Sequence, residues 1–227
     1  MVYAYLIPSW FFPVDFTFSV LNALITLAIA VSALMVYKIT NDLAVKRFGL
    51  GFGMISLAYI VWAFDLFVLL TNVQDGLRVI ILDRVHALGV FSYYTYIIFF
   101  VAGIVTLAYS TFKINKDGLY YLLLGVSLLV VASSVYKLVT LGILNFFILS
   151  YISYHYFAVW NENRKTNTLL LCFAFALLSL SGAHYASGAS SFNFYIICHT
   201  IGFIAYVLMF RALISSLKYY GKEKKQT

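Results

Sequence analysis

The sequence predicts an all-α integral membrane protein with seven transmembrane helices, the N-terminus outside and the C-terminus inside. Three observations lead there. Hydrophobic residues make up 63% of the 227-residue chain and charged residues only 10%, whereas a soluble domain carries about a quarter charged residues. Mean hydropathy is +0.95. The charges that remain cluster in short breaks between apolar runs, each long enough to cross about 30 Å of hydrocarbon.

Residues 1–14 are apolar but interrupted by Pro8 and Pro13, and Trp10, Phe11 and Phe12 suit a segment lying in the interface. This stretch lacks the basic start and small-residue cleavage site of a secretory signal, so the first span is expected to stay in the mature protein. That span runs from Phe16 to about Tyr37 and ends at Lys38, Asp42, Lys46 and Arg47. The second covers about Phe48 to Leu70, with Asp65 inside it, and T-N-V-Q-D-G makes a turn-rich loop. The third begins between Leu77 and Arg84 and reaches Thr111, closed off by Lys113, Lys116, Asp117 and Gly118. A fourth, from about Leu119 to Tyr136, meets Lys137 in a very short loop. The fifth spans roughly Leu141 to Trp160, ahead of N-E-N-R-K. The sixth covers about Thr168 to Tyr185, and S-G-A-S-S precedes a seventh from Phe192 to about Leu217. The chain thus reads as one transmembrane domain. It comprises an interfacial segment (1–14), a three-helix half (15–112), a linker helix (118–137), a second three-helix half (140–218) and a cytoplasmic tail (219–227).

Basic residues set the orientation. Lys38, Lys46, Arg47, Lys113, Lys116, Arg164, Lys165, Lys218, Lys222, Lys224 and Lys225 fall on one side, and only Arg78, Arg84 and Lys137 on the other. Arg211 lies buried near the end of the last span. This bias puts the tail in the cytoplasm of a multi-pass cell (plasma) membrane protein. The net charge of +7 is thereby accounted for by topology, with no nucleic-acid partner implied. Cys172 and Cys198 sit in separate apolar runs with no C-x-x-C spacing, which argues against thiol-redox or zinc-ribbon chemistry.

One pattern occurs twice. His86, Gly89 and Tyr93 return as His199, Gly202 and Tyr206, both reading H-x-x-G-x-x-x-Y. Offsets of zero, three and seven share one helical face, and a glycine there lets a neighbouring helix or a flat ligand approach closely. The copies fall on spans three and seven, equivalent places in a three-plus-one-plus-three chain. Aligning Lys46 with Lys165 also sets Asp65 against His184, at the same separation of 119 residues. Spans one and five both end in an aromatic residue followed by an Asn-containing charged loop. Against this, Lys113 follows His86 by 27 residues while Lys218 follows His199 by 19. On balance the pattern points to a parallel duplication, with a pseudo-twofold axis along the membrane normal.

In helix count and order the layout resembles the SWEET sugar transporters, whose substrate site lies between such halves. The resemblance stops at layout, since no Pro-Gln pair occurs. A looser likeness to microbial rhodopsins fails because span seven has no lysine before Lys218 to carry a retinal Schiff base.

Ionisable groups inside spans are costly and mark function by default. Asp65, His86, His184 and His199 all fall toward the outer side, with Asp83 and Arg84 at the same mouth. His155 reads as an interfacial histidine among aromatics, and His86 has a bland alternative as a cap-region partner of Asp83. The expected ligand-binding set is Asp65, His86, Tyr93, His199 and Tyr206. His86, His184 and His199 could hold a transition metal such as zinc, or His86 and His199 the iron of a b-type haem. The first function expected is binding of a small solute, proton or metal between the halves, for transport or signalling. Electron transfer through haem is a second, and a structural subunit of a larger membrane complex or a homo-oligomer a third. An enzyme is disfavoured: S-G-A-H-Y-A-S-G-A-S followed by H-T-I-G-F resembles rhomboid proteases only superficially, with its serines one helix too late.

Overall fold

A computed structural model describes residues 11–72, 82–112, 117–187 and 192–223. The segment 1–10, the loops around T-N-V-Q-D-G and S-G-A-S-S, and the end of the tail lie outside them. Seven helices follow in order: α1 (Phe11–Thr40), α2 (Leu43–Asn72), α3 (Leu82–Thr111), α4 (Asp117–Ser133), α5 (Lys137–Asn163), α6 (Thr166–Ser187) and α7 (Phe192–Glu223). With no water to serve peptide groups in hydrocarbon, the apolar runs must satisfy their backbone internally, and only a helix does that within one segment. Threonines survive in these runs by returning their hydroxyls to the carbonyl one turn back, as Thr26 does to Asn22 (2.6 Å), Thr95 to Phe91 (2.7 Å) and Thr106 to Ala102 (2.6 Å). Pro13 is tolerated because it stands in the first turn of α1, where the N–H it lacks has no acceptor.

Six of the helices are long and apolar enough to cross a membrane, and α4 is the short one at 17 residues, about 25 Å at 1.5 Å per residue. It ends at Ser133, before the sequence pattern does, because Ser134 gathers the link to α5. The Ser134 hydroxyl accepts from the Tyr136 amide (3.1 Å) and from the Thr140 hydroxyl (2.6 Å), and its carbonyl accepts from Lys137 Nζ (2.8 Å).

The six long helices close into a ring. Each of α1, α2 and α3 packs on the next, α3 meets α5, α5 packs on α6, α6 on α7, and α7 returns to α1. Helix α4 leans on α3 and α5 from outside. The seams differ in chemistry. Helices α2 and α3 touch backbone to backbone: a Cβ on Gly103 would stand 2.8 Å from the carbonyl oxygen of Gly51. Helices α5 and α6 are joined by hydroxyls, with Ser150 and Ser179 at 2.6 Å and Ser153 donating to the Cys172 carbonyl at 3.0 Å. Ser56 donates to the Ala23 carbonyl (2.9 Å) between α2 and α1, and Ser181 to the Cys198 carbonyl (2.9 Å) between α6 and α7.

Two turns share one construction. Asn41 and Arg164 have φ of 55° and 54°, and their amides bond back to Tyr37 and Trp160 at 2.7 Å, an αL stop of the kind that ends many helices. In each a cation lies over the aromatic ring: Lys46 over Tyr37 at 5.5 Å and Arg164 over Trp160 at 4.7 Å. Arg47 over Tyr109 (4.8 Å) ties the start of α2 to the end of α3 at this same end of the bundle. Arg211 corrects one expectation. It is exposed on the outward side of α7, because the inward stripe is taken by Tyr206, Met209 and Leu213.

Candidate functional site

The ring holds a partly open cavity of about 70 Å³ (space open to the centre of a water-sized sphere), and among the described residues every ring helix contributes to its wall and α4 does not. Helix α1 supplies Asn22, α2 supplies Tyr59 and Trp62, and α3 supplies Tyr96 and Phe100. From the other three ring helices come Asn145 on α5, Ser181 and Gly182 on α6, and Cys198, His199, Gly202 and Tyr206 on α7. Volume on this scale holds a few waters or one small solute.

Helical periodicity explains which residues arrive there. On α7, His199, Gly202 and Tyr206 face inward together, as their offsets require. On α2 the stripe Phe48, Phe52, Ile55, Tyr59 and Trp62 runs at spacings of four and three. Its upper members line the cavity, and Phe48 and Phe52 are buried below. The Tyr59 and Tyr206 hydroxyls meet at 3.3 Å across the ring. Below them the centre is filled by aromatics in contact: Tyr206 on Phe52 (6.2 Å between centroids), Phe52 on Phe48 (4.9 Å), Phe48 on Phe175 (6.2 Å) and Phe175 stacked on Tyr156 (5.4 Å). The cavity therefore occupies the half of the ring nearer the start of α1, and an aromatic plug occupies the other.

Helix α1 also carries a buried polar stripe. Asp15, Ser19, Asn22 and Thr26 stand at spacings of four, three and four, all at most 3% exposed. That is one face of a helix pointing into the bundle. The signal was present in the sequence as spacing, but three of the four residues are uncharged.

Of the five ligand-binding residues expected, His199 and Tyr206 line the cavity. Asp65 is buried on the seam between α2 and α3, hydrogen-bonded to the Ser92 side chain. Tyr93 is half-buried on α3, its ring against Tyr94 at 5.7 Å. The side chains of His86 and His184 lie outside the described residues. Among the described residues no three His, Cys, Asp or Glu side chains converge as metal ligands. His155 packs edge-on to Tyr156 (5.6 Å) away from the cavity wall.

The two motif glycines behave alike. A Cβ on Gly89 would lie 3.8 Å from Asp65 Oδ1, and one on Gly202 3.5 Å from Ser181 Oγ. Gly89 thus faces a polar side chain on α2 and Gly202 one on α6, each at ordinary contact distance. The closest helix approaches fall elsewhere, at Gly51 with Gly103 and at Gly182.

No family model, curated protein or solved structure matches this chain. The helical, apolar architecture is that of a multi-pass membrane protein.

Proposed function

We propose that the chain crosses the cell membrane seven times, N-terminus out, as two three-helix halves, and binds a small solute between them for passage across the bilayer. The observation that carries this reading is the cavity itself: six helices, three from each half, wall a mainly apolar chamber into which Tyr59, Ser181, His199 and Tyr206 bring polar groups, above an aromatic plug. A carrier needs such a chamber, accessible from one side while the other is shut. The duplication is supported by the packing order, which is unchanged when α1, α2 and α3 are exchanged for α5, α6 and α7. It is also supported by the matching αL turns at Asn41 and Arg164. The cation–aromatic contacts at the end opposite the cavity support a cytoplasmic rim there. Asp65, His86, Tyr93 and His184 would act around this chamber rather than as a preformed metal cage.

The chain's own cysteines test it. Cys198 lines the cavity and Cys172 is buried beside Ser153 on the α5–α6 seam. In a Cys172→Ala background, the small uncharged reagent methyl methanethiosulfonate should label Cys198 in the folded, membrane-embedded protein. Gly202→Leu, which fills the chamber, should block that labelling. A Cys198 that reacts only after unfolding, or just as fast in Gly202→Leu, removes the proposal.

A further inference from the structure

Arg211 lies within the apolar stretch Ile196–Leu217 of α7, yet it is exposed on the side turned away from the ring, on one face with Ile204 and Val207. A hydrogen bond between helices fixes its depth. Asn167, in the first turn of α6 just beyond Arg164 and Lys165, donates to Ser216 Oγ at 3.2 Å, so Ser216 marks the polar rim of the bundle. Arg211 stands five residues deeper, about 7.5 Å at 1.5 Å per residue. From there an arginine lays its apolar stem along the helix and carries its guanidinium to the level of the headgroups.

The protein brings it no countercharge. Among the described residues Arg211 makes no hydrogen bond or ion pair. The carboxylates at this end of the bundle are engaged or distant. Asp42 Oδ1 accepts from the Ala44 amide (2.8 Å) at the start of α2. Glu162 is on α5 and Asp117 on α4, and neither helix packs on α7. Glu223 follows Arg211 by twelve residues. Asp15, Asp65 and Asp83 belong to the opposite end, near the start of α1, the end of α2 and the start of α3. Positive charge, by contrast, recurs in register. Lys218 and Lys222 follow Arg211 by seven and eleven residues, and α7 stays helical through Glu223. The three positions therefore share one face that runs out of the apolar stretch.

A charge turned toward hydrocarbon is costly until it finds a partner, and outside the protein that partner is a lipid phosphate. A basic cluster directly beyond a span favours headgroups of net negative charge, because the ammonium of a zwitterionic lipid offsets its own phosphate. We propose that the outward face of α7 at Arg211 binds an anionic phospholipid, with the phosphate on the guanidinium and an acyl chain along Val207 and Ile204. The site is separate from the chamber and rests only on α7 crossing the bilayer.

Nitroxide quenching tests it locally. In the full-length chain with Cys172→Ala and Cys198→Ala, Val207→Cys carries a bimane fluorophore one turn from Arg211. A second label at Tyr154→Cys serves as control, exposed on α5, which has no Lys or Arg in 138–163. Each protein is placed in phosphatidylcholine nanodiscs with increasing acyl-chain nitroxide phosphatidylglycerol or nitroxide phosphatidylcholine. At Val207 the anionic lipid should bind about fivefold more tightly than the zwitterionic one, as expected for one basic residue at the headgroup level. Arg211→Gln and Arg211→Leu should bring that ratio to about one, Arg211→Lys should keep most of it, and Tyr154 should show a ratio near one throughout. Equal binding of the two lipids at Val207, the same preference at Tyr154, or a preference that survives both Arg211→Gln and Arg211→Leu overturns the site. Quenching at Val207 by neither lipid removes the crossing of the bilayer by α7 as well.

Discussion

Helices α1–α3 and α5–α7 keep the same neighbour order, but their closest seams differ in chemistry. In the first half, α2 and α3 meet where Gly51 and Gly103 bring backbones together, and α1 meets α2 at Gly49, whose Cβ would lie 3.2 Å from the Ala30 carbonyl oxygen. Contacts of this kind have one geometry, because backbone atoms cannot re-orient to relieve a clash. In the second half the α5–α6 seam is a row of hydroxyls, Ser150, Ser153 and Ser179, beside one close crossing at Gly182. Hydroxyls can exchange partners along a seam, so small sliding there costs less. Burial follows the same division. Half of the most apolar window of α1 is buried, against 22% for α5 and 28% for α6, so α5 and α6 turn more of their surface out of the bundle.

The sharpest way to break this comparison is at the glycines. A Cβ on Gly103 would meet Ile55 Cγ1 at 2.6 Å and the Gly51 carbonyl at 2.8 Å. Gly103→Ala should therefore destabilise the detergent-solubilised protein by about 3 kcal/mol, the upper end for overpacking. On Gly182 the nearest atom is the Asn145 side-chain nitrogen at 3.0 Å, with the Gly142 carbonyl at 3.1 Å. Gly182→Ala should cost about 1 kcal/mol. Thermal unfolding of both variants reads the difference, and equal losses would mean that the halves are equally rigid. A smaller effect sharpens the point. Ser179→Ala removes the 2.6 Å bond to Ser150 and the 3.0 Å bond to the Phe146 carbonyl, yet polar contacts between membrane helices average only about 0.6 kcal/mol. The same unfolding assay should show a loss near or just above that value; a loss as large as that of Gly103→Ala would make the hydroxyl seam a rigid one. The smallest change is expected at Gly53, whose Cβ would meet nothing within 4 Å. Gly53→Ala should leave stability unchanged or raise it by about 0.5 kcal/mol through helix propensity. A marked loss there would show that this face of α2 meets something beyond the packed bundle.

Parts of the site were legible before any packing was known. The stripe His199, Gly202 and Tyr206 follows from spacing alone, and it does face the chamber. Asp65 was legible as a buried charge, but its partner Ser92 on α3 was not, because one chain segment says nothing of which residue stands across a seam. Asn22 and Asn145 were passed over because an uncharged amide in an apolar run barely alters hydropathy. Each has a side-chain oxygen without a hydrogen-bond partner, a property that only the surroundings reveal.

By itself the sequence determined the membrane class, the helices and the charge asymmetry of their ends, since each follows from local apolar length, 3.6-residue periodicity and the placement of lysine and arginine. The tertiary structure alone decided that α7 closes onto α1, that α4 stays outside the ring, and which faces look inward. The reason is physical. Helices this apolar all round carry little contrast between a face for lipid and a face for protein. The inward face is then set by fine packing, by glycine approach, hydroxyl seams and interlocking rings, between segments far apart in the chain.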